Sequence, residues 1–223
     1  MVNSNDWRRG RCVLCGAGAG DLCRDCAAEL PRIGSACCHC GLPLADRGPC
    51  GACLRRPPPY SRCLSPFLYE APVSQLITAF KYEGRFSYGR ALSRQLCDCV
   101  RAAGAHADID LLLPVPLHWR RRWTRGFNQA EIIADELGRA LGLPAPTRRL
   151  RRLRAAPAQQ GLGARERSRN LRAAFGARGR FDGLHIALID DVVTTGATAA
   201  ELTRLLLAAG AASAQVWCLA RTP

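Results

Sequence analysis

Apolar positions are sparse before residue 62 and regularly spaced after it. Arg62–Glu70 alternates and predicts a strand. Pro72 can open a helix with Val73, Leu76, Ile77 and Phe80 on one stripe, and Gly84 ends it. Tyr88–Arg101 predicts a second helix, its Leu92, Leu96 and Val100 spaced by four. Asp110–Pro116 is a short apolar run of the kind buried in parallel sheets. Asn128–Leu141 predicts an amphipathic helix facing inward through Ile132, Ile133, Leu137 and Leu141, with Gly142 at its C-terminal cap. Thr147–Leu153 and Leu184–Ile189 predict two further strands, Ala197–Ala209 a helix and Ala214–Ala220 a last strand. Ala155–Asn170 is polar, arginine-rich and aperiodic, and a loop of that length in a compact domain is usually functional or disordered. Strands alternating with helices imply an α/β fold, a parallel sheet flanked by helices on both faces.

With 223 residues the chain has room for one ordinary domain and a small appendage, and the change of pattern places their boundary between 1–61 and 62–223. The appendage is where the cysteines are. Ten of thirteen precede Leu64, and eight form Cys-x-x-Cys pairs: Cys12/Cys15, Cys23/Cys26, Cys37/Cys40 and Cys50/Cys53. Such a knuckle lets two thiolates meet one ion from a tight turn, and two knuckles supply the four ligands of a structural zinc. Gly16 and Gly41 follow their knuckles, where the turn asks for positive φ. Four pairs therefore predict two structural zinc sites with no open catalytic position. Sequential pairing of knuckles is favoured over a cross-braced arrangement. Cys38 and His39 could substitute for a neighbour, and Cys63, Cys97, Cys99 and Cys218 read as buried thiols. Apart from metal, residues 1–63 hold few large aliphatics and two aromatics, Trp7 and Tyr60, so metal supplies much of the folding free energy there. Arg55-Arg56-Pro57-Pro58-Pro59 reads as a stiff linker closing the module.

No run of 18 uncharged apolar residues occurs, so no membrane span is expected. The first residues, with Asp6, Arg8, Arg9 and Arg11, lack an apolar signal core, which makes a cytoplasmic chain the expectation. The formal net charge is +14, and only Lys81 among the 32 basic residues is lysine. Eight thiolates with two divalent ions would bring the charge to about +10. Eleven arginines lie between Arg148 and Arg180, and Arg120, Arg121, Arg122 and Arg125 form a second cluster. Concentrated positive charge suits phosphate-bearing partners, nucleotides or nucleic acid.

One segment points to a particular anion. His185–Ile189 is an apolar strand ending in Asp190 and Asp191, followed by Val192, Val193, Thr194, Thr195, Gly196, Ala197 and Thr198 at the start of a helix. A helix N-terminus offers unpaired amides and a positive dipole end to an anion. The threonine hydroxyls add donors, Gly196 permits close backbone approach, and the two acids can accept from vicinal hydroxyls or hold a divalent ion through water. The place, beyond a strand's carboxyl end, is where open α/β sheets bind ligands. The residues thus predict a ribose 5-phosphate site.

Ile186–Thr198 resembles the phosphoribosyl pyrophosphate (PRPP) signature of type I phosphoribosyltransferases, and nearly the whole chain resembles the ComF family, which carries a double zinc ribbon ahead of such a domain. Besides the knuckles, Leu113–His118, Arg125–Ala130, Gln159, Gly161, Leu162, Arg167, Asn170 and Leu171 carry the likeness. The resemblance implies that Asp190 and Asp191 bind the ribose hydroxyls and Thr194–Thr198 the 5-phosphate. It puts Arg125, Asn128 and Gln129 near pyrophosphate. Residues 154–170, including Gln159, Arg167, Arg169 and Asn170, become a lid that excludes water from the reacting centre. It also implies Mg2+, carried mostly by the ligand's oxygens. The family's polar Thr three positions before the lid glutamine is Ala156 here, which puts catalysis in question more than binding.

Two functions stay open, beside a third in which the chain is an adaptor whose ribbon docks a partner protein. One is a PRPP-binding factor supporting uptake or recombination of transforming DNA, as ComF proteins are associated with competence. It could contact single-stranded DNA through Trp119 and Trp123 among the arginines, or DNA-uptake and recombination proteins through the ribbon. The other is an active phosphoribosyltransferase, a glycosyltransferase acting on an unidentified base or nucleotide-pathway acceptor. His118 lies near the site without an assigned role.

Overall fold

The computed structural model describes residues 11–17, 20–46, 48–117, 123–144, 147–153 and 174–223. Its elements are α1 (Arg24–Ala28), α2 (Gly51–Arg55), β1 (Cys63–Leu64), β2 (Phe67–Leu68), α3 (Val73–Glu83), α4 (Phe86–Ala102), β3 (Leu111–Pro114), α5 (Gln129–Leu141), β4 (Leu150–Arg152), β5 (Phe175–Ala177), β6 (His185–Val193), α6 (Ala197–Ala208) and β7 (Ser213–Arg221). A parallel sheet runs β1–β7–β6–β3, with β2 continuing the β1 edge along β7. β4 and β5 form a separate antiparallel ribbon.

Alternation along the strands builds two cores, one on each face. Ala187, Ile189, Trp217, Leu219 and Leu112 pack under α3, α4 and α5 against Phe80, Leu92, Leu96, Ile133 and Leu137. Ile186, Leu188, Val216, Cys218, Leu111 and Leu113 face α6 and the β4–β5 ribbon, meeting Leu202, Leu206, Phe175 and Phe181. The α/β sheet wrapped on both faces is the fold class that the sequence pattern implies. Helix ends fall where the punctuation put them: Gly84 and Gly142 are left-handed caps, and the Asn128 side chain accepts from the Ala130 amide.

Three strands differ from expectation. The stretch over Arg62–Glu70 is two short strands, interrupted at Ser65-Pro66 because proline has no amide to give the ladder. β6 runs on to Val193, because β7 accompanies it as far as the Val193↔Arg221 pair. β5 was not expected; its three residues are too few for a period.

The cysteine-rich segment lies on the sheet edge and α4. Leu30 joins the core under α3 and α4. Backbone bonds link the Ile33 amide to the Pro66 carbonyl (3.0 Å) and the Leu68 amide to the Pro31 carbonyl (2.9 Å). Asp21, almost fully buried, pairs with Arg90 at 2.7 Å and Arg94 at 3.2 Å. Among the described residues no helix is long and apolar enough to cross a membrane.

Candidate functional site

β6 places its two acids by the same alternation that builds the core. Asp190 follows Ile186 and Leu188 toward the α6 face, and Asp191 follows Ala187 and Ile189 toward α3. Asp190 borders a small concavity of about 50 Å3 completed by the 192–199 turn. Its carboxylate accepts from the Asp191 amide at 2.8 Å. Burial, and next the Asp191 charge, push Asp190 up to about 7. Asp191 instead meets Lys81 of α3 at 3.0 Å.

The turn that closes the concavity ends at Gly196, with φ 73° and ψ 4° as the cap of α6. A Cβ there would come within 2.8 Å of the Tyr60 hydroxyl, so space as well as conformation requires glycine. The Thr195 hydroxyl accepts from the Ala197 amide at 3.3 Å. The first turn of α6 contains no acid, and its opening amides lie outside the helix ladder, so apart from the Thr195 bond to Ala197 the positive end of the helix faces the concavity.

Arg125, Asn128 and Gln129 form a connected set. Asn128, 4% exposed, donates to the Val115 carbonyl at 3.1 Å beyond β3. Gln129, 1% exposed, accepts from Arg125 at 3.3 Å and donates to the Lys81 carbonyl at 3.5 Å. These bonds fix Arg125 and the Lys81 backbone relative to the sheet end. The Arg125 guanidinium also lies 4.5 Å over the Tyr82 ring. Beside it opens a broad groove of about 710 Å3, lined by Tyr82, Phe86, Thr124, Arg125 and Phe127. Gln159, Arg167, Arg169 and Asn170, with Ala156, His118 and Trp119, lie outside the described residues.

The eight cysteines gather in two groups, Cys12/Cys15/Cys23/Cys26 and Cys37/Cys40/Cys50/Cys53, each with its sulfurs within 4.8 Å of one another. Pairing is sequential, not cross-braced. Cys15 and Cys23 sulfurs are 3.7 Å apart, as are those of Cys40 and Cys50. That is too long for a disulfide and matches the edge, about 3.8 Å, of a tetrahedron with 2.3 Å zinc–sulfur bonds. Burial raises Cys12, yet the Cys15, Cys23 and Leu14 amides bring it down to about 6. At Cys37 burial is likewise outweighed, by the Cys40, Cys50 and His39 amides, and the result is again about 6. Cys26 is raised chiefly by the Cys23 and Cys15 thiols, and Cys53 by burial and then Cys40. Each cluster crowds sulfurs that cannot all ionise without a cation between them, which fits a divalent ion held by four thiolates. Cys38 is exposed and outside both groups, while Cys63, Cys97 and Cys218 are buried.

Three residues next to this site escaped the sequence reading: Tyr60, Lys81 and Arg221. Lys81 had a signal, since a chain that uses arginine everywhere else keeps one lysine.

A parallel sheet covered on both faces and headed by two four-cysteine clusters defines an α/β protein with a cysteine-rich head suited to hold metal. The chain is 42% identical over 205 residues to the DNA utilization protein YhgH of Salmonella typhimurium, covering 90% of each. It is 35% identical over 222 residues to competence protein F of Haemophilus influenzae, covering 95% of this chain and 96% of that one. It belongs to the ComF/YhgH family. No family model matches the chain. A purine phosphoribosyltransferase from Pyrococcus horikoshii overlays with a TM-score of 0.40 at 15% identity, over 59% of this chain and 75% of that one.

Proposed function

We propose that the chain binds PRPP, or a closely related phosphoribosyl ligand, with Mg2+ at residues 190–198, and that it does so in support of DNA uptake or recombination. The observation that carries the ligand is the concavity between Asp190 and the uncapped N-terminus of α6. Anion donors stand at one side and a carboxylate for hydroxyls at the other, the two kinds of group a sugar phosphate needs. Lys81, at Asp191, adds a cation where a pyrophosphate would approach. Mg2+ would neutralise the ligand's diphosphate and would be held mostly by the ligand's own oxygens.

Ionised Asp190 accepts hydrogen bonds that the protonated acid cannot. Its value of about 7 therefore predicts PRPP affinity that rises between pH 6 and 8. The ligand's own phosphate titrates near pH 6, so the diagnostic is the difference from Asp190→Asn, whose profile flattens above pH 6.5. Calorimetry with PRPP and Mg2+ measures both; no heat from the native chain at pH 8 overturns the reading.

The DNA role rests on the relatives, named for DNA utilization and competence, and on a surface suited to bases. Trp123 is 86% exposed and Tyr82 69%, beside the groove that Arg125 lines. Stacking one base on one aromatic is worth about 1–3 kcal/mol, so Tyr82→Ala and Trp123→Ala should each weaken a single-stranded oligonucleotide roughly tenfold. Fluorescence anisotropy at fixed salt reads this, and unchanged affinity in the double variant removes the surface from the DNA role. Transfer of the ribosyl group to a base acceptor is the alternative, and pyrophosphate release across a panel of bases distinguishes it.

A further inference from the structure

Arg221 closes β7 and is 5% exposed. Among the described residues it makes no ion pair; its guanidinium is spent on main-chain carbonyls. Nε donates to the Cys40 carbonyl at 3.1 Å. Nη1 donates to the Val193 carbonyl at 3.2 Å and also to the carbonyls of Thr194 and Thr222. Cys40 is a member of the second thiolate cluster, and Val193–Thr194 is where β6 turns into the phosphate loop. One buried cation thus joins a metal knuckle to the loop that would grip the ligand.

Two further contacts follow the same line. A Cβ on Gly41, the residue after Cys40, would lie 2.8 Å from the Cys63 carbonyl, so the knuckle turn sits directly on the sheet edge. Tyr60 places its hydroxyl against Gly196. Among the described residues the first cluster shows no such route: its neighbour Asp21 is tied to Arg90 and Arg94 on α4, away from the loop.

Burying a guanidinium without a carboxylate is costly, and the carbonyls that offset this cost must be held in place. A metal in the second cluster would hold Cys40 in place. Losing that metal releases the carbonyl, and the guanidinium then has one fixed end instead of two. We propose that Arg221 is a positioning residue that couples metal occupancy of the second cluster to the shape and charge of the phosphate loop. Its positive charge, directly behind Val193 and Thr194, also supports an anion bound in front of them. By linkage the coupling is reciprocal: the anion must tighten metal binding at the second cluster by the same factor.

The coupling rests on the phosphoribosyl reading for its ligand but not for its loop, so two readouts separate them. Hydrogen–deuterium exchange of the amides in 190–199 is followed in the full chain with both clusters metal-loaded. It is repeated with the second vacated by Cys53→Ser and with the first vacated by Cys15→Ser. Calorimetry with PRPP and Mg2+ is run on the same proteins. Cys53→Ser is expected to speed exchange at 194–198 and to weaken PRPP about tenfold, within the usual range for coupled sites. Cys15→Ser should change neither. With Arg221→Lys already present, Cys53→Ser should add little to either readout, and PRPP should no longer raise zinc affinity at the second cluster. Loop exchange indifferent to the second metal overturns the proposal, with or without a folded Arg221 variant. So does a Cys53→Ser effect of undiminished size in Arg221→Lys. PRPP failing to bind while loop exchange still follows the metal refutes the ligand and supports the coupling.

Discussion

Replacing Asp190 and Asp191 together by alanine is expected to weaken PRPP with Mg2+ at least about a hundredfold, since a hydrogen bond to a charged group is worth roughly 1.5–3 kcal/mol and two are lost. The fold should tolerate losing Asp190. Burial and the neighbouring charge hold that acid at about 7, against 3.8 ordinarily, so the folded chain keeps a proton that the unfolded chain has released. A carboxyl raised in this way subtracts stability as pH rises from about 4 to 7, and the full loss is in place above 7. Asp190→Asn removes that loss and retains an oxygen for the Asp191 amide. It is therefore expected to melt a few degrees higher than the native chain at pH 8, with a smaller difference at pH 5, while binding PRPP more weakly. Stability gained together with affinity lost identifies a group retained for its ligand. A variant that melts lower at pH 8, or a double alanine variant that binds PRPP as before, would overturn this role. Asp191→Ala alone also strips Lys81 of its partner, so its effect on stability is the opposite.

Local signals were legible where the residues themselves state the physics. Asn128 and Gly142 bracket α5, and the apolar runs at 111–113 and 186–189 can lie only inside a sheet covered on both faces. The four knuckles located the two cysteine clusters without help from the fold. What escaped depends on partners distant in sequence. β6 continues through two acids because β7 lies beside it, which no local window contains. Tyr60 follows three prolines and reads as linker, yet the chain pairs with the sheet edge at once, the Ser61 amide reaching the Ala214 carbonyl at 2.9 Å. Arg221 ends an otherwise apolar strand; a charge closing a buried run was its only mark. Asn128 and Gln129 were read toward pyrophosphate, and the structure adds that both are buried and bonded to the main chain of β3's end and α3. That gives them a hand in placing Arg125 and the Lys81 backbone.

Removing metal should be the most disruptive single treatment of the first 56 residues. The described part of this segment has two helices of five residues each, far below the length at which a helix persists in water. The buried apolar cluster of its second half consists of Cys37, Cys50 and Cys53, with Cys40, Leu42 and Leu44 beside it. The ligands are themselves the core, so nothing remains to bury once the ion is gone. Structural zinc supplies roughly 10–16 kcal/mol to such modules, more than a small domain's entire stability. Two zinc ions per chain are expected by elemental analysis, and one after Cys15→Ser or Cys53→Ser. Chelation should abolish exchange protection across 11–56 while the cores under α3–α5 and under α6 keep theirs. Acid should act like chelator, because each ligand must shed a proton to bind, so zinc retention falls as pH falls. A zinc content other than two, or unchanged protection across 11–56 after stripping, would show that the sulfurs are packed for another reason.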